Sequence, residues 1–227
     1  MRKCKIITID GPAGSGKSSV AKRVAQELGF VHLDSGAIYR AVTLFLLQRG
    51  VSPSDVPKIE ECLKDLDLEV KDQQIYVNGE NVTEAIRSPQ VDEMVSLYSA
   101  LPVIRSSLLA LQRELQDCQD LIAEGRDMGT VVFPDADLKI FLKADAKTRA
   151  IRRWKELMER EVDISFDDVY YQIIQRDEKD SNRELSPLIP AEDAIILDTS
   201  DLTLDEVVER VIKLVKDHVE QVKRCDA

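Results

Sequence analysis

Ile6-Ile7-Thr8-Ile9-Asp10-Gly11-Pro12-Ala13-Gly14-Ser15-Gly16-Lys17-Ser18-Ser19 decides how the rest of this 227-residue chain is read. Four β-branched residues predict a strand, which ends in a loop carrying three glycines. Val20, Val24, Ala25 and Leu28 then recur at helical spacing until Gly29 stops the helix. Gly-x4-Gly-Lys-Ser in that setting is a phosphate-cradling loop, and the flanking strand and helix set it apart from an ordinary glycine turn. Its glycines let backbone N–H groups turn toward phosphate oxygens, and the helix N-terminus adds partial positive charge there. Gly11, Pro12, Ala13, Gly14, Ser15, Gly16, Lys17, Ser18 and Ser19 are therefore the expected contacts of a nucleoside triphosphate. Lys17 is expected on the β and γ phosphates, and the Ser18 hydroxyl as a ligand of Mg²⁺.

Composition narrows the partners. A formal net charge of -11 disfavours a polyanionic nucleic-acid partner, because phosphate neutralisation needs a basic face. With one Trp and 5% aromatic residues, the chain offers no stacking platform for single strands. The four cysteines (Cys4, Cys62, Cys118 and Cys225) are scattered without a Cys-x-x-Cys, so reduced thiols are expected rather than disulfides or a metal framework. The first strand follows the N-terminus directly and no apolar run reaches membrane-spanning length, so a cytoplasmic, soluble protein is expected. His32 lies in an apolar stretch and His218 on a charged helix, which disfavours histidine-centred acid–base chemistry. Phosphoryl transfer depends mainly on positioning and charge neutralisation, and suits such a chain.

Beyond the loop, strand and helix patterns alternate. Short apolar strands are expected at 30–33, 121–123, 138–142 and 194–198, with helices over 37–49, 56–66, 102–118, 147–160, 166–179 and 203–222. That order predicts an α/β fold, a five-stranded parallel sheet with helices on both faces. Ligands in such sheets sit at the carboxyl ends of the strands, here the glycine loop, Asp34-Ser35-Gly36 and Gly125-Arg126-Asp127. Residues 68–83 break the alternation: Leu68-Glu69-Val70, Ile75-Tyr76-Val77 and Asn81-Val82-Thr83 read as a small antiparallel meander, with Asn78-Gly79 as a hairpin turn. Residues 84–100 are ambiguous in pattern, with helix favoured. The chain is taken as a single domain over 1–227, with an insertion at about 66–101 and a helical lid at about 146–183.

Arg149, Arg152 and Arg153 share one helical face. They form either a solvated face paired with Glu156 and Glu159, or a lid that brings guanidinium groups over a transferring phosphoryl. Arg176, Asp180 and Arg183 form a second group, for which a surface salt bridge is the simpler account. Arg40, beside Tyr39, and Arg126 follow separate strand ends and could grip a second, accepting phosphate bidentately. Asp127 could accept a hydrogen bond from a substrate amino group or help hold Mg²⁺ through water.

Taken together, Ile9 to Ser18, Leu33-Asp34-Ser35-Gly36-Ala37-Ile38-Tyr39-Arg40, Gly125-Arg126-Asp127-Met128-Gly129-Thr130-Val131-Val132-Phe133-Pro134, Arg176-Asp177, Asp180, Asn182-Arg183 and Pro187-Leu188 resemble the bacterial-type cytidylate kinases, a family of nucleoside monophosphate kinases. The resemblance implies transfer of the ATP γ-phosphoryl to CMP or dCMP with Mg²⁺, on a P-loop kinase core with a monophosphate-binding region and a lid. By position it implies Ser35, Arg40, Arg126 and Arg183 at the CMP phosphate, with Tyr39 beside them. Ser96, Arg105 and Asp127 would read the cytosine, and Arg176 and Asp180 the ribose. Lys17, Arg149, Arg153 and Arg183 are the expected catalytic groups. ATP and CMP or dCMP are the expected partners of a monomer that binds neither nucleic acid nor membrane. A nucleotide-controlled binding module without turnover is the competing class, against which the intact Lys17, Ser18 and arginine set speaks.

Overall fold

The computed structural model describes residues 4–71, 73–115 and 119–225, with side chains as far as Val219. In chain order the elements are β1 (Ile6–Asp10), α1 (Lys17–Leu28), β2 (Val31–Asp34), α2 (Ser35–Gln48), α3 (Val56–Leu63), β3 (Leu68–Lys71), β4 (Gln74–Val77) and β5 (Glu80–Asn81). There follow α4 (Pro89–Ser99), α5 (Pro102–Glu114), β6 (Leu121–Gly125), β7 (Leu138–Lys143), α6 (Ala146–Glu159), α7 (Phe166–Ser181), β8 (Ile195–Asp198) and α8 (Leu204–Cys225). Two compact units result: Met1–His32 with Cys118–Ala227, and Leu33–Asp117.

The first unit is built on a five-stranded sheet in the order β2-β6-β1-β7-β8, with the chain leaving the unit along β2. β1 pairs in parallel with β6 and with β7, and β7 with β8, as the alternation of strands and helices predicts. β1 is buried on both faces, the mark of a parallel sheet covered on either side. Ile7 and Ile9 point into a cluster with Val20 and Val24 of α1 and Val207, Val208, Val211 and Val215 of α8. Each such aliphatic side chain contributes roughly 1.5–3 kcal/mol on leaving water, so this layer supplies much of what holds the strand in place. Local signals set the helix ends. Gly29 turns left-handed and returns its N–H to the Ala25 carbonyl, while Asp145 and Ser165 cap α6 and α7 through the N–H groups of Thr148 and Asp168. α6 and α7 pack together through Trp154, edge-on to Phe166 at 6.3 Å.

Met128–Val132 forms a π-helical turn that no periodicity in the sequence announces. Such turns occur mostly as single departures from α geometry, often at functional sites. Its cause is tertiary and lies in the hydrogen bonds described below.

The second unit packs α2 against α4 and the 3₁₀ turn Ala85–Arg87, around Ile38, Phe45, Ile59, Ile86, Val91 and Ile104. The ambiguous stretch 84–100 is thus the 3₁₀ turn and then α4, entered at Pro89. Tyr98 is buried, and its hydroxyl donates to the Val51 carbonyl. The meander is present: β3-β4-β5, with Asn78 and Gly79 both left-handed (φ 50° and 80°) between the paired residues Val77 and Glu80. Its third strand is Glu80–Asn81 rather than Asn81–Thr83, because the Thr83 hydroxyl takes up the Ile75 N–H beyond it. The expected end of the helix after Pro102, at about Cys118, lies outside the described residues.

Two loop glycines differ in what surrounds them. A Cβ on Gly11 would lie 2.3 Å from the carbonyl oxygen of Leu142 in β7, a backbone atom that cannot swing aside. A Cβ on Gly16 would meet nothing within 4 Å, although its φ of +86° is left-handed. Gly16→Ala should therefore cost about 1–2 kcal/mol of backbone strain, and Gly11→Ala about 3 kcal/mol or more, because β1 and β7 must separate. Urea unfolding of the two variants checks this, and equal losses would contradict it.

Candidate active site

In the first unit, the glycine loop joins β1 to α1, and its geometry follows from where the strand ends. Asp10, the last residue of β1, is buried, and its two carboxylate oxygens accept the N–H groups of Met128 (3.0 Å) and Gly129 (2.8 Å). This pins the residues just after Arg126-Asp127 to the start of the loop and accounts for the π turn. Gly129 is needed there, since a Cβ would come within 2.8 Å of the Thr8 hydroxyl. Burial pushes the Asp10 carboxyl up to about 6, against the lowering effect of the two amides; Asp127 nearby raises it further and Lys17 lowers it.

Lys17 is largely buried, with Nζ donating to the Pro12 carbonyl at 3.4 Å. Ser18 donates its hydroxyl proton to Oε2 of Glu124 at 2.8 Å, and Glu124 is buried near the end of β6. That donation turns the proton of Ser18 inward and leaves its oxygen lone pairs available to a cation. Among the described residues, no three His, Cys, Asp or Glu side chains are placed to hold a metal. A Mg²⁺ held by phosphates, water and one hydroxyl needs no such cluster, so the donor set here fits that ion.

The lid arginines separate into different roles. Arg149 is buried, donating from Nε to Ala144 O (2.9 Å) and from Nη1 to Ala13 O (3.1 Å), with Asp177 of α7 as its ion-pair partner at 2.6 Å. Arg152 donates to the carbonyls of Thr199 (2.6 Å) and Ser15 (3.5 Å), and desolvation lowers its pKa. These two fit neither a solvated face nor a free lid: they tie the start of α6 to the glycine loop. Arg153 reaches Glu156 on its own helix, as the solvated-face alternative has it.

The second arginine group is not a surface salt bridge. Asp180 is 1% exposed, and Arg126 Nε (2.9 Å) and Arg183 Nη2 both donate to it. Burial alone would raise its carboxyl, but Arg126, Arg183 and Arg176 outweigh that and hold it below the usual range. Arg126, Arg176, Asp180 and Arg183 are therefore one electrostatic unit, gathered from α7 and from the residues that follow β6 and α7. Asp127 is buried beside it in sequence, next to the Asp10-held turn.

In the second unit, Asp34 caps α2 by accepting the Ala37 N–H (2.9 Å), and its other oxygen takes Arg87 at 3.0 Å. Ser35 is buried in the first turn. Arg40 donates to the Ile86 carbonyl (3.2 Å) and pairs with Asp92. Arg105 is buried, with Nη1 donating to the Tyr39 hydroxyl at 3.1 Å and its guanidinium 5.4 Å from the ring centre. Ser96 lies half-buried on α4. Asp10, Glu124, Asp177, Arg87 and Asp92 have no role assigned from sequence. Asp10 and Glu124 did carry a signal, since each is an ionisable residue at or near the end of a largely apolar strand.

The family model for "Cytidylate kinase" matches residues 7–217. Cytidylate kinase of Thermotoga petrophila is 46% identical over 214 residues, covering 94% of this chain and 97% of the relative. That of Carboxydothermus hydrogenoformans is 45% identical, covering 92% and 96%, and that of Fusobacterium nucleatum is 42% identical, covering 93% and 97%.

The buried Asp10 carboxyl has a consequence for stability. Its folded value of about 6 lies above the ordinary 3.8, so the folded chain binds that proton more tightly than the unfolded chain does. Asp10 accordingly withdraws stability as pH rises through that window, and its effect is constant above it. Asp10→Asn cannot titrate and loses one of the two acceptors, so it is the less stable protein at low pH. Its deficit relative to the parent should shrink by about 2 kcal/mol between pH about 4.5 and about 7.5. Urea titrations at the two pH values measure this, and a deficit that stays constant or grows would contradict it.

Proposed function

The chain belongs to the cytidylate kinase family, and from that membership we infer an enzyme that moves the γ-phosphoryl group of ATP onto CMP or dCMP, giving ADP and CDP or dCDP. The observation that carries the reading beyond the glycine loop is the buried Arg126–Asp180–Arg183 group. A chain that only held a triphosphate would have no use for a second guanidinium cluster kept charged and oriented away from bulk water. An accepting phosphate does use one, because paired guanidinium forks match its oxygens bidentately.

In this reading Gly11 to Ser19 wrap the ATP phosphates, with Lys17 neutralising charge that spreads over the γ-phosphoryl as it transfers. Ser18, its proton committed to Glu124, would hold Mg²⁺, which would supply positive charge against the phosphates there. Arg126 and Arg183 take the phosphate of CMP, with Ser35, Tyr39 and Arg40 assigned to the same task. Asp180 keeps the two guanidinium groups of the first unit aligned until phosphate competes for them, and with Arg176 it is assigned to the ribose. Asp127 suits the exocyclic amino donor of cytosine, while Arg105 and Ser96 suit its ring O2 and N3 acceptors. Arg149 and Arg153 keep their assignment to the transferring phosphoryl only if lid motion releases Arg149 from Asp177 and the loop carbonyls. Otherwise Arg149 serves catalysis by holding the loop in shape. Residues 66–101 are assigned to monophosphate binding and 146–183 to the lid of one kinase domain. A net charge of -11 supports small-molecule partners rather than nucleic acid, for a cytoplasmic monomer with no membrane contact.

A coupled ADP-release assay across CMP, dCMP, UMP and AMP tests the activity, and the cytidine nucleotides should be preferred; indifference to the base would overturn it. Asp127→Ala should reduce the preference for CMP over UMP by roughly tenfold or more, the cost of one hydrogen bond to a charged group, and unchanged discrimination would remove Asp127 from base reading. Arg183→Ala should cost about 3 kcal/mol in kcat/KM for CMP, since it both loses a phosphate contact and leaves Asp180 short of a partner. Steady-state kinetics check this, and parental values would mean that Arg183 serves only the fold.

A further inference from the structure

His32 and Glu124 stand on neighbouring strands of the first unit, β2 and β6. The His32 side chain is 9% exposed and Glu124 1%, and His32 Nε2 lies 3.7 Å from Glu124 Oε1. Among the described residues, Nε2 has no hydrogen-bond partner. A buried ring nitrogen left without one carries a desolvation cost that an apolar residue at the same place would avoid. The carboxylate it faces is the one whose other oxygen receives the Ser18 proton at 2.8 Å. Ser18, Glu124 and His32 thus form a line from the first turn of α1, through β6, to β2. The order is that of an acting group, a group that orients it, and a third that orients the second.

We propose that His32 is a positioning residue for the metal–phosphate end of the site, acting through Glu124 on the Ser18 hydroxyl. The proposal rests on the reading of the glycine loop as the Mg²⁺–nucleotide site. With the proton on Nε2, the N–H dipole faces Oε1 across 3.7 Å and disfavours rotation of the Glu124 carboxylate about its last bond. Oε2 is then kept as the acceptor for Ser18. Held so, the hydroxyl cannot turn its proton toward the cation, and its lone pairs stay aimed outward. Partners that orient a metal-bound group from behind typically change metal affinity or activity by about 10–100-fold when removed. His32 touches neither nucleotide nor metal in this scheme, so its loss should weaken the coupling between the metal and the nucleotide rather than nucleotide binding as such.

The test compares ADP binding by calorimetry with Mg²⁺ and with EDTA, on the full chain and on His32→Phe, His32→Asn and His32→Gln. Phe removes the donor, Asn ends about where Nδ1 sits and falls short of Glu124, and Gln carries an N–H to about the place of Nε2. The Mg²⁺-dependent gain in ADP affinity should fall about tenfold in the Phe and Asn variants, with affinity in EDTA unchanged, and return to within about twofold in the Gln variant. The CMP KM should stay at the parental value while kcat falls with the coupling. If the Phe variant does not fold, the Asn and Gln pair decides. A parental gain in the folded variants overturns the proposal, as does an equal loss in Asn and Gln, which would make His32 a packing residue. A loss seen equally in EDTA overturns it too, because the loop itself would then be disturbed. If the parent protein shows no Mg²⁺-dependent gain at all, the functional reading fails before His32 is at issue.

Discussion

Asp10 occupies the end of the central strand with a carboxylate that has left water and found two backbone amides, those of Met128 and Gly129. That pair of hydrogen bonds ties together two segments of the first unit's site. On one side the chain enters the glycine loop, whose close approach to β7 at Gly11 leaves no room for a side chain. On the other side the same carboxylate sets the turn after Arg126 and Asp127, which are thereby fixed relative to the loop. The cost is a charged group in a place that disfavours charge, visible in a carboxyl pushed up to about 6. Stability is given up at the spot where two segments with different tasks have to be held in register.

The other buried charges follow a similar logic. Asp180 is kept as an anion by Arg126, Arg183 and Arg176, and those arginines are kept oriented by Asp180. Removing either partner of such a group leaves an uncompensated charge. Arg149 shows how far an arginine's task depends on its surroundings. Its helix face suggested either a solvated surface or a group waiting for phosphate, yet its guanidinium spans Ala13, Ala144 and Asp177, holding loop, β7 end and α7 together. Arg153, one turn on, is close to the surface and pairs along its own helix.

Much of the second unit was legible because its signals are local. Asn78-Gly79 forms a hairpin turn because both residues tolerate left-handed backbone. The ambiguity at 84–100 came from a 3₁₀ turn followed at once by a helix, two elements too short and too close to show one period. Tyr39 and Arg105 were both marked from sequence, but their contact across 66 residues was not. Nor were the partners of Arg40 and Arg87, which are set by the packing of α2 on α4.

By itself the sequence determined the donor loop, the alternation that makes a parallel sheet, and the motifs that place the chain among the cytidylate kinases. Those features are written within a few residues of one another, where backbone freedom, β-branching and helical spacing act. Only the tertiary structure decided which charges meet. Ser18 and Glu124 are 106 positions apart, and Arg149 and Ala13 are 136 apart. The strand order that places β6 and β7 on either side of β1 brings them together. Once buried, a polar group must take whatever partner the sheet puts beside it, so the roles of Asp10, Glu124, His32 and Arg149 follow from that order rather than from their neighbours in the chain.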